Sequence, residues 1–239
     1  MSHHRKFFID GAWVEPDGQD TLDVINPATE EVVTAIALGQ ASDVDKAVAA
    51  ARRAFESFSL TTREERLALL ERVLECYRAR ADDLVEAVMS EMGAPLKLAR
   101  SAQVPVGASH ISNTRKALEA FEFSEERNKG LIVREPIGVC ALITPWNWPL
   151  NQIAAKVAPA LATGCTVVLK PSEIAPLSAI IFAEIMEEAG VPPGVFNLVN
   201  GTGPDVGQVM AGHKDVDMVS FTGSTRAGII VAKTAADTV

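Results

Sequence analysis

The sequence has 239 residues, of which 48% are hydrophobic, and a formal net charge of −9 at pH 7. The acidic balance and the lack of a basic stripe argue against a nucleic-acid-binding protein. No apolar run is long enough to span a membrane, and the first residues lead into a strand pattern rather than a signal segment, so no membrane association is expected. Helix and strand patterns alternate along most of the chain, which predicts a globular α/β protein.

The first 120 residues are predicted to form hairpins and helices that pack on the domain after them. Two apolar runs within Lys6–Val14 flank Asp10-Gly11, which is a strong hairpin signal. A strand is expected over Glu31–Ala37, after turn signals at Asp17-Gly18 and Asn26-Pro27.

Four helices are predicted next, each from an apolar stripe at helical spacing. The first is expected to begin at Ser42 with Asp45 supporting its cap, and the second after Thr62 with Glu65 completing a capping box. The other two are expected over Asp82–Met92, closed by Gly93, and over Leu96–Phe121, bent or interrupted at Pro105.

The segment Phe121–Pro136 alternates apolar and polar residues around a break at Asn128-Lys129-Gly130, which predicts a hairpin with one exposed face. Two strands that stand apart from a parallel sheet usually serve in assembly, so we expect an oligomerisation hairpin. A surface hairpin folded back on its own domain is the alternative.

The segment Ile137–Glu173 reads as a strand, a crossover helix and a second strand. The strands are expected over Val139–Ile143 and Thr166–Leu169, with a helix between them that ends at Gly164. Such βαβ units are almost always right-handed, and open α/β sheets bind ligands at the carboxyl ends of their strands.

The same alternation continues to residue 239. A helix (Pro176–Gly190), a strand (Val195–Val199), a short helix after Gly201–Gly207, a strand (Val216–Phe221) and a last helix running to the chain end are expected. The four strands should lie side by side, so residues 137–239 are predicted to form an incomplete Rossmann-like parallel sheet with flanking helices.

The three cysteines, Cys76, Cys140 and Cys165, show no paired spacing. Free cysteine often behaves as a small core hydrophobe, and none of the three follows a helix-terminus pattern that would lower its pKa. We therefore expect buried, unreactive thiols in a reducing, cytoplasmic setting. No metal site is expected, since His3-His4 is too short to form one.

Polar residues at the predicted strand ends are candidates for a nucleotide site. Gly223-Ser224-Thr225 opens a helix, where backbone N–H groups and the helix dipole suit a phosphate; the alternative is a simple helix cap. Lys170 and Glu173 follow the second strand, where a carboxylate can bind an adenosine ribose; the alternative is a surface ion pair with Ser172 capping a helix.

Asn147 lies between two tryptophans and two prolines in Pro145-Trp146-Asn147-Trp148-Pro149. A rigid, partly dry amide N–H could stabilise a developing oxyanion. The alternative is an Asx turn with the tryptophans packed in the core.

Four motifs in this order, ITPWNWP, LKPSE, GxGPxxG and FTGST, resemble the NAD(P)-dependent aldehyde dehydrogenase superfamily. The likeness extends over the whole chain, from the N-terminal hairpin and the INPATE turn onward. It implies oxidation of a small-molecule aldehyde to the carboxylic acid through a cysteine thiohemiacetal and thioester, in a homodimer or homotetramer.

The resemblance also implies roles for single residues. Asn147 would supply the side-chain donor of the oxyanion hole. NAD is the expected cofactor, because Glu173 should repel the 2′-phosphate of NADP, although NADP use stays open. The implied cofactor-binding residues are Thr144, Pro145, Trp146, Lys170, Ser172, Glu173, Gly203, Gly207, Phe221, Thr222, Gly223 and Ser224. The implied aldehyde tunnel consists of Trp148, Asn151, Gln152 and Ala155.

The chain departs from the family pattern in two respects. Arg226 follows the GST motif, where the family often has an acidic residue. The general-base glutamate and the nucleophilic cysteine are expected beyond Val239, since neither Cys140 nor Cys165 fits the nucleophile motif. We therefore expect an N-terminal half that is inactive and self-associating when alone. The alternatives are a non-catalytic cofactor-binding or structural protein and a CoA-acylating branch of the superfamily.

Overall fold

A computed structural model describes residues 3–238 of the chain. Its strands are β1 (Phe7–Ile9), β2 (Ala12–Val14), β3 (Thr21–Ile25), β4 (Val32–Ala37), β5 (Ser124–Arg127), β6 (Gly130–Val133), β7 (Val139–Ile143), β8 (Thr166–Lys170), β9 (Phe196–Leu198) and β10 (Met218–Phe221).

The helices are α1 (Ala41–Phe58), α2 (Arg63–Ala79), α3 (Ala81–Met92), α4 (Leu96–Leu98), α5 (Val104–Ala120), α6 (Pro149–Ala162), α7 (Leu177–Glu188), α8 (Gln208–Ala211) and α9 (Thr225–Ala235). Two five-residue π-helical turns, Ala99–Gln103 and Gly203–Gly207, precede α5 and α8. Among these elements, α9 ends before the chain end that it was predicted to reach.

The main sheet has the strand order β10-β7-β8-β9-β1-β2. Its four parallel strands, β10, β7, β8 and β9, are neighbours, as predicted, with β7 between β8 and β10. The N-terminal hairpin extends this sheet, because β1 pairs antiparallel with β9 through Phe8 and Leu198. The hairpin therefore covers one edge of the parallel sheet, and β10 forms the other edge.

Helices cover both faces of the sheet, and two apolar clusters result. Successive strand residues face opposite sides, so Cys140 and Leu142 join one cluster while Val139 and Ala141 join the other. The first cluster lies under α2, α3, α5, α6 and α7, and the second lies under α1 and α8. Burying one such aliphatic side chain contributes about 1.5–3 kcal/mol, so these two layers supply most of the driving force that holds the sheet in place.

The start of α1 differs from the prediction. Gln40, rather than Ser42, is the N-cap, and Asp43, rather than Asp45, completes the capping box. The buried Asp43 carboxylate accepts hydrogen bonds from Gln40 N at 3.0 Å and from Asp17 N at 3.1 Å. The contact with Asp17 is long-range, so local spacing could not single out Asp43. At α2, by contrast, the predicted capping box is confirmed.

Two further segments were incompletely predicted. Strand β3 was missed, and it pairs antiparallel with β4 through a register shift at Val24 and Ile25 that interrupts the alternating pattern. The predicted Leu96–Phe121 helix is interrupted as expected, but the break is the π-helical turn before Pro105, which itself lies in the first turn of α5. Proline is tolerated there because no intrahelical donor is lost.

The hairpin predicted between residues 121 and 136 is confirmed. Within residues 3–238, strands β5 and β6 pair only with each other, in a register that places Ser124 opposite Val133. Asn128 has a positive φ of 52° in the turn. All of β6 is exposed, including Leu131 at 61% and Val133 at 54%.

Candidate active site

A cavity of about 480 Å³ opens where β7, β8 and β10 end. The register places Ile143 beside both Lys170 and Phe221, so the last residues of the three strands lie in one row. The loops that follow these residues therefore meet at one edge of the sheet. The cavity is lined by Ile143, Thr144, Pro145, Trp146, Asn147, Lys170, Ser172, Glu173, Gly203, Phe221, Thr222, Gly223, Ser224 and Ala227.

Lys170 and Glu173 form an ion pair in this wall, with Nζ and Oε2 separated by 2.8 Å. The lysine side chain is only 4% exposed, whereas the glutamate is 29% exposed. Burial lowers the pKa of the Lys170 amine, and the neighbouring Glu173 carboxylate opposes that shift. The Glu173 carboxylate is therefore partly accessible from the cavity, whereas the Lys170 amine is buried.

Gly207 lies under the Lys170 stem and does not line the cavity. A Cβ at Gly207 would stand 3.7 Å from Lys170 Cδ, which is an ordinary contact distance. Gly207 therefore packs against the Lys170 side chain, whereas Gly203 lines the cavity.

Ser224 is the N-cap of α9, and its Oγ accepts a hydrogen bond from Ala227 N at 3.2 Å. The capping alternative is thus realised in this structure. It does not conflict with anion binding, because the hydroxyl proton of Ser224 can still be donated and the helix N-terminus faces the same cavity. Thr222 N donates to Ile143 O at 3.1 Å, which fixes this loop against β7.

Thr144 is a buried wall residue whose hydroxyl has no hydrogen-bond partner among residues 3–238. Its backbone N–H donates to Lys170 O at 3.1 Å, which holds the residue at the strand end. Buried hydroxyl groups are normally paired, so an unpaired one in a cavity wall is what a ligand-binding group would look like before the ligand binds.

The surroundings of Asn147 differ from the expectation. Trp146 is 54% exposed and Asn147 is exposed, so the described part of the chain does not enclose the amide in a dry pocket, and Trp146 is not packed in the core. A hydrogen bond from Gln103 Nε2 to Asn147 O, at 3.2 Å, holds the backbone of the loop after β7. Gln103 is buried in the π-helical turn before α5, and no local sequence signal indicated this contact.

The four predicted tunnel residues lie apart from this cavity. Trp148, Asn151, Gln152 and Ala155 are half-buried along α6. Asn151 Oδ1 is 2.6 Å from Nε2 of His110 on α5.

A second cavity, of about 350 Å³, contains Gln152 and Ala155 in its wall. Lys156, which sequence reasoning missed, lines it as well and donates from Nζ to Ser220 Oγ at 2.8 Å. Burial lowers the pKa of the Lys156 amine. The predicted tunnel face of α6 therefore borders a space that is distinct from the first cavity.

Within residues 3–238, no group of three or more His, Cys, Asp or Glu side chains is placed to hold a metal ion. In the same range, no helix is both long and apolar enough to cross a membrane.

The fold and the first cavity define an α/β protein whose ligand site lies at the carboxyl edge of an open parallel sheet. Residues 13–239 match the sequence model of the aldehyde dehydrogenase family, and the chain belongs to this family. The resemblance carried by the four motifs is thereby confirmed.

Similar proteins cover the whole chain but are about twice as long. A 3-succinoylsemialdehyde-pyridine dehydrogenase from a Pseudomonas species is 57% identical over 100% of this chain and 50% of its own length. A mutant of aldehyde dehydrogenase C from Pseudomonas syringae, complexed with NAD+ and octanal, superposes with a TM-score of 0.98 at 55% identity, over 99% of this chain and 49% of that one.

A third similar protein binds the same cofactor. Betaine aldehyde dehydrogenase from Staphylococcus aureus, in complex with NAD+, superposes with a TM-score of 0.94 at 40% identity, over 99% of this chain and 48% of that one. The chain thus spans about half the length of the relatives that it matches.

Proposed function

We propose that the complete protein is an NAD-dependent aldehyde dehydrogenase that oxidises an aldehyde to the carboxylic acid, and that this chain supplies its cofactor-binding half. One observation carries the proposal: residues from four separate motifs line a single cavity at the carboxyl ends of β7, β8 and β10. The NAD+ complexes of the similar aldehyde dehydrogenases support the choice of cofactor.

The residues present fit NAD. The exposed side of Glu173 can accept hydrogen bonds from both hydroxyls of an adenosine ribose, while the Lys170 amine can donate to them. The N-terminus of α9 with Ser224 suits the pyrophosphate, and the unpaired Thr144 hydroxyl is available to a polar group of the ligand. The bound cofactor would supply the hydride acceptor.

Asn147 is proposed to stabilise the oxyanion that develops on the aldehyde oxygen. Its loop begins at the end of β7, and the Gln103 contact holds its backbone, so its amide can be aimed at the edge of the cofactor cavity. We infer that the attacking thiolate and the general base belong to the other part of the protein. Neither Cys140 nor Cys165 lines the cavity that contains Asn147.

The test is the Asn147→Ala variant of the complete protein. Loss of one oxyanion donor is expected to lower kcat by roughly a hundredfold or more, while the affinity for NAD changes little. Asn113→Ala, at an exposed position on α5 and outside the cofactor cavity, is the matched control and should retain both the cofactor affinity and the turnover. Single-turnover kinetics that are unchanged in Asn147→Ala would remove Asn147 from the mechanism.

A further inference from the structure

Gln103 is a buried polar residue of which only one end of the amide group is paired. The residue is 1% exposed, and its Nε2 donates to Asn147 O at 3.2 Å. Its Oε1 is buried as well and has no hydrogen-bond partner among residues 3–238. A backbone carbonyl can only accept, so the contact fixes which end of the Gln103 amide faces Asn147. Buried polar atoms are normally paired, and the unpaired Oε1 therefore needs a physical reason.

The position of Gln103 depends on the π-helical turn Ala99–Gln103. Ala99 at the start of this turn and Val104 directly after it belong to the first apolar cluster, so one face of the turn packs on the core. A π-helical turn carries one residue more than an α-helical turn, and such turns are frequent at functional sites. Here the turn brings an amide group into an otherwise apolar layer.

Tyr77 on α2 holds the end of this turn. Tyr77 is 1% exposed, and its hydroxyl donates to Val104 O at 2.8 Å. Gly107 on α5 makes room for this contact, since a Cβ there would stand 2.3 Å from the Tyr77 oxygen. The backbone beside Gln103 is thus fixed by a neighbouring helix, and the Gln103 side chain starts from a fixed point.

Asn147 has few other restraints. The loop between β7 and α6 is held at its start by Thr144 N, which donates to β8, and at its end by Gln152 N, which donates to Trp148 O at 3.0 Å. In the described range, the bond from Gln103 is the one hydrogen bond that Asn147 makes. The Asn147 residue is exposed, so its place at the end of β7 depends on the hydrogen bond to its backbone oxygen.

We propose that Gln103 is a positioning residue of the active site, which acts through Asn147 O to aim the Asn147 amide at the aldehyde oxygen in the transition state. This role rests on the proposed oxyanion function of Asn147. An oxyanion donor is effective when it is already aimed at the position where charge develops, and a small displacement costs rate. The role also explains the unpaired Oε1, because donation to Asn147 O requires an amide at a place where an apolar side chain would suit the core better.

The test compares Gln103→Met with Asn147→Ala in the complete protein. Methionine has a similar length but no donor, so it removes the hydrogen bond and keeps most of the volume. With the fastest of propanal, hexanal and octanal as substrate, single-turnover reduction of NAD+ should be about tenfold slower in Gln103→Met, as expected for the loss of one neutral hydrogen bond. The Kd for NAD+ should stay the same, because Gln103 does not line the cofactor cavity.

A double-mutant cycle shows whether the effect of Gln103 passes through Asn147. In the Asn147→Ala background, Gln103→Met should slow the reaction by less than about twofold, because no amide remains to be aimed. Two losses that multiply would overturn the proposal, since Gln103 would then act on another group. Gln103→Asn keeps the amide but shortens its reach, so it should also be slow, and it replaces Gln103→Met if that variant does not fold.

Thermal stability separates positioning from a purely structural role. Gln103→Met removes a buried unpaired oxygen, so its Tm should equal or exceed that of the unmutated protein although its rate is lower. Gln19→Met, at an exposed position, is the control and should change neither the rate nor the Tm. A lower Tm in Gln103→Met with an unchanged single-turnover rate would overturn the proposal. The oxyanion function of Asn147 fails only if Asn147→Ala keeps its rate, so the two failures are distinguishable.

Discussion

Lys170 Nζ and Glu173 Oε2 lie 2.8 Å apart at the end of β8, with the amine buried and the carboxylate partly open to the cavity. Burial disfavours the charged form of the Lys170 amine and lowers its pKa. The Glu173 carboxylate favours the charged form and opposes this shift. The two hydroxyls of a ribose could hydrogen-bond to the Glu173 carboxylate while the ion pair between Lys170 and Glu173 stays intact. A 2′-phosphate would instead bring a like charge close to the Glu173 carboxylate.

The first prediction concerns cofactor choice. The complete protein should have a higher kcat/KM with NAD than with NADP, and Glu173→Gln should reduce that ratio because it removes the repelling charge. Steady-state kinetics with both cofactors check this. Glu56→Gln, at an exposed position on α1, is the control and should leave the ratio unchanged. An unmutated enzyme that uses NADP as well as NAD would contradict the proposed role of Glu173.

The second prediction concerns Glu91, a buried carboxylate on α3. It accepts hydrogen bonds from Leu177 N and from Ser178 N, the latter at 3.1 Å, and so caps the start of α7. Burial raises the pKa of Glu91 from 4.5 to about 7, against the effect of these hydrogen bonds. The folded state therefore holds a proton that the unfolded state has already released.

Stability should consequently fall as the pH rises from about 4.5 to about 7, by at most about 3 kcal/mol from this one group. Glu91→Gln cannot titrate, so its Tm should rise relative to that of the unmutated protein between pH 5 and pH 8. Thermal melts of both proteins over this range measure the difference. Two Tm curves that stay parallel would show that Glu91 does not titrate there.

The third prediction concerns Gly138, which precedes β7 with a φ of 132°. A Cβ there would lie 1.8 Å from Asp217 Oδ2, the same atom that accepts from Val139 N at 2.7 Å and from Arg52 Nη2 at 2.6 Å. Gly138→Ala should therefore cost several kcal/mol, because it adds a clash to the backbone strain. Gly190→Ala is the control: its φ is also positive, at 70°, but no atom lies within 4 Å of the added Cβ.

Denaturant unfolding of these two variants measures the difference. Gly190→Ala should lose roughly 1 kcal/mol, which is the cost of the left-handed conformation alone. Equal losses in the two variants would mean that Asp217 moves aside at little cost.

The fourth prediction concerns the β5–β6 hairpin as an assembly element. Leu131 and Val133 are exposed on β6, which in the described part of the chain has β5 as its one partner strand. If the hairpin joins subunits, the double variant Leu131→Ser, Val133→Ser of the complete protein should form smaller oligomers in light scattering. Leu60→Ser, at an isolated residue that is 82% exposed, should leave the mass unchanged. An unchanged mass in the double variant would favour the alternative of a surface hairpin with no role in assembly.

The sequence predicted best those features that depend on residues close together in the chain. The apolar runs of β7 and β8 marked strands buried on both faces, and parallel strands necessarily bring their carboxyl ends to one edge. That rule and the resemblance carried by the four motifs together predicted that Asn147, Lys170 and Ser224 belong to one site, and all three line the same cavity. Gly207, which the resemblance alone implied, packs against the Lys170 side chain and does not line that cavity.

The sequence by itself thus determined the family, the alternation of strands and helices and most of the residues that line the first cavity. The tertiary structure alone decided the pairing of β1 with β9, the support of Asn147 by Gln103 and the hydrogen bond from Asp17 N to the Asp43 carboxylate. Each of these depends on residues far apart in the chain. Helical and strand periodicity report only on which face of an element is buried, whereas a contact between distant residues depends on how whole layers pack, which no local pattern encodes.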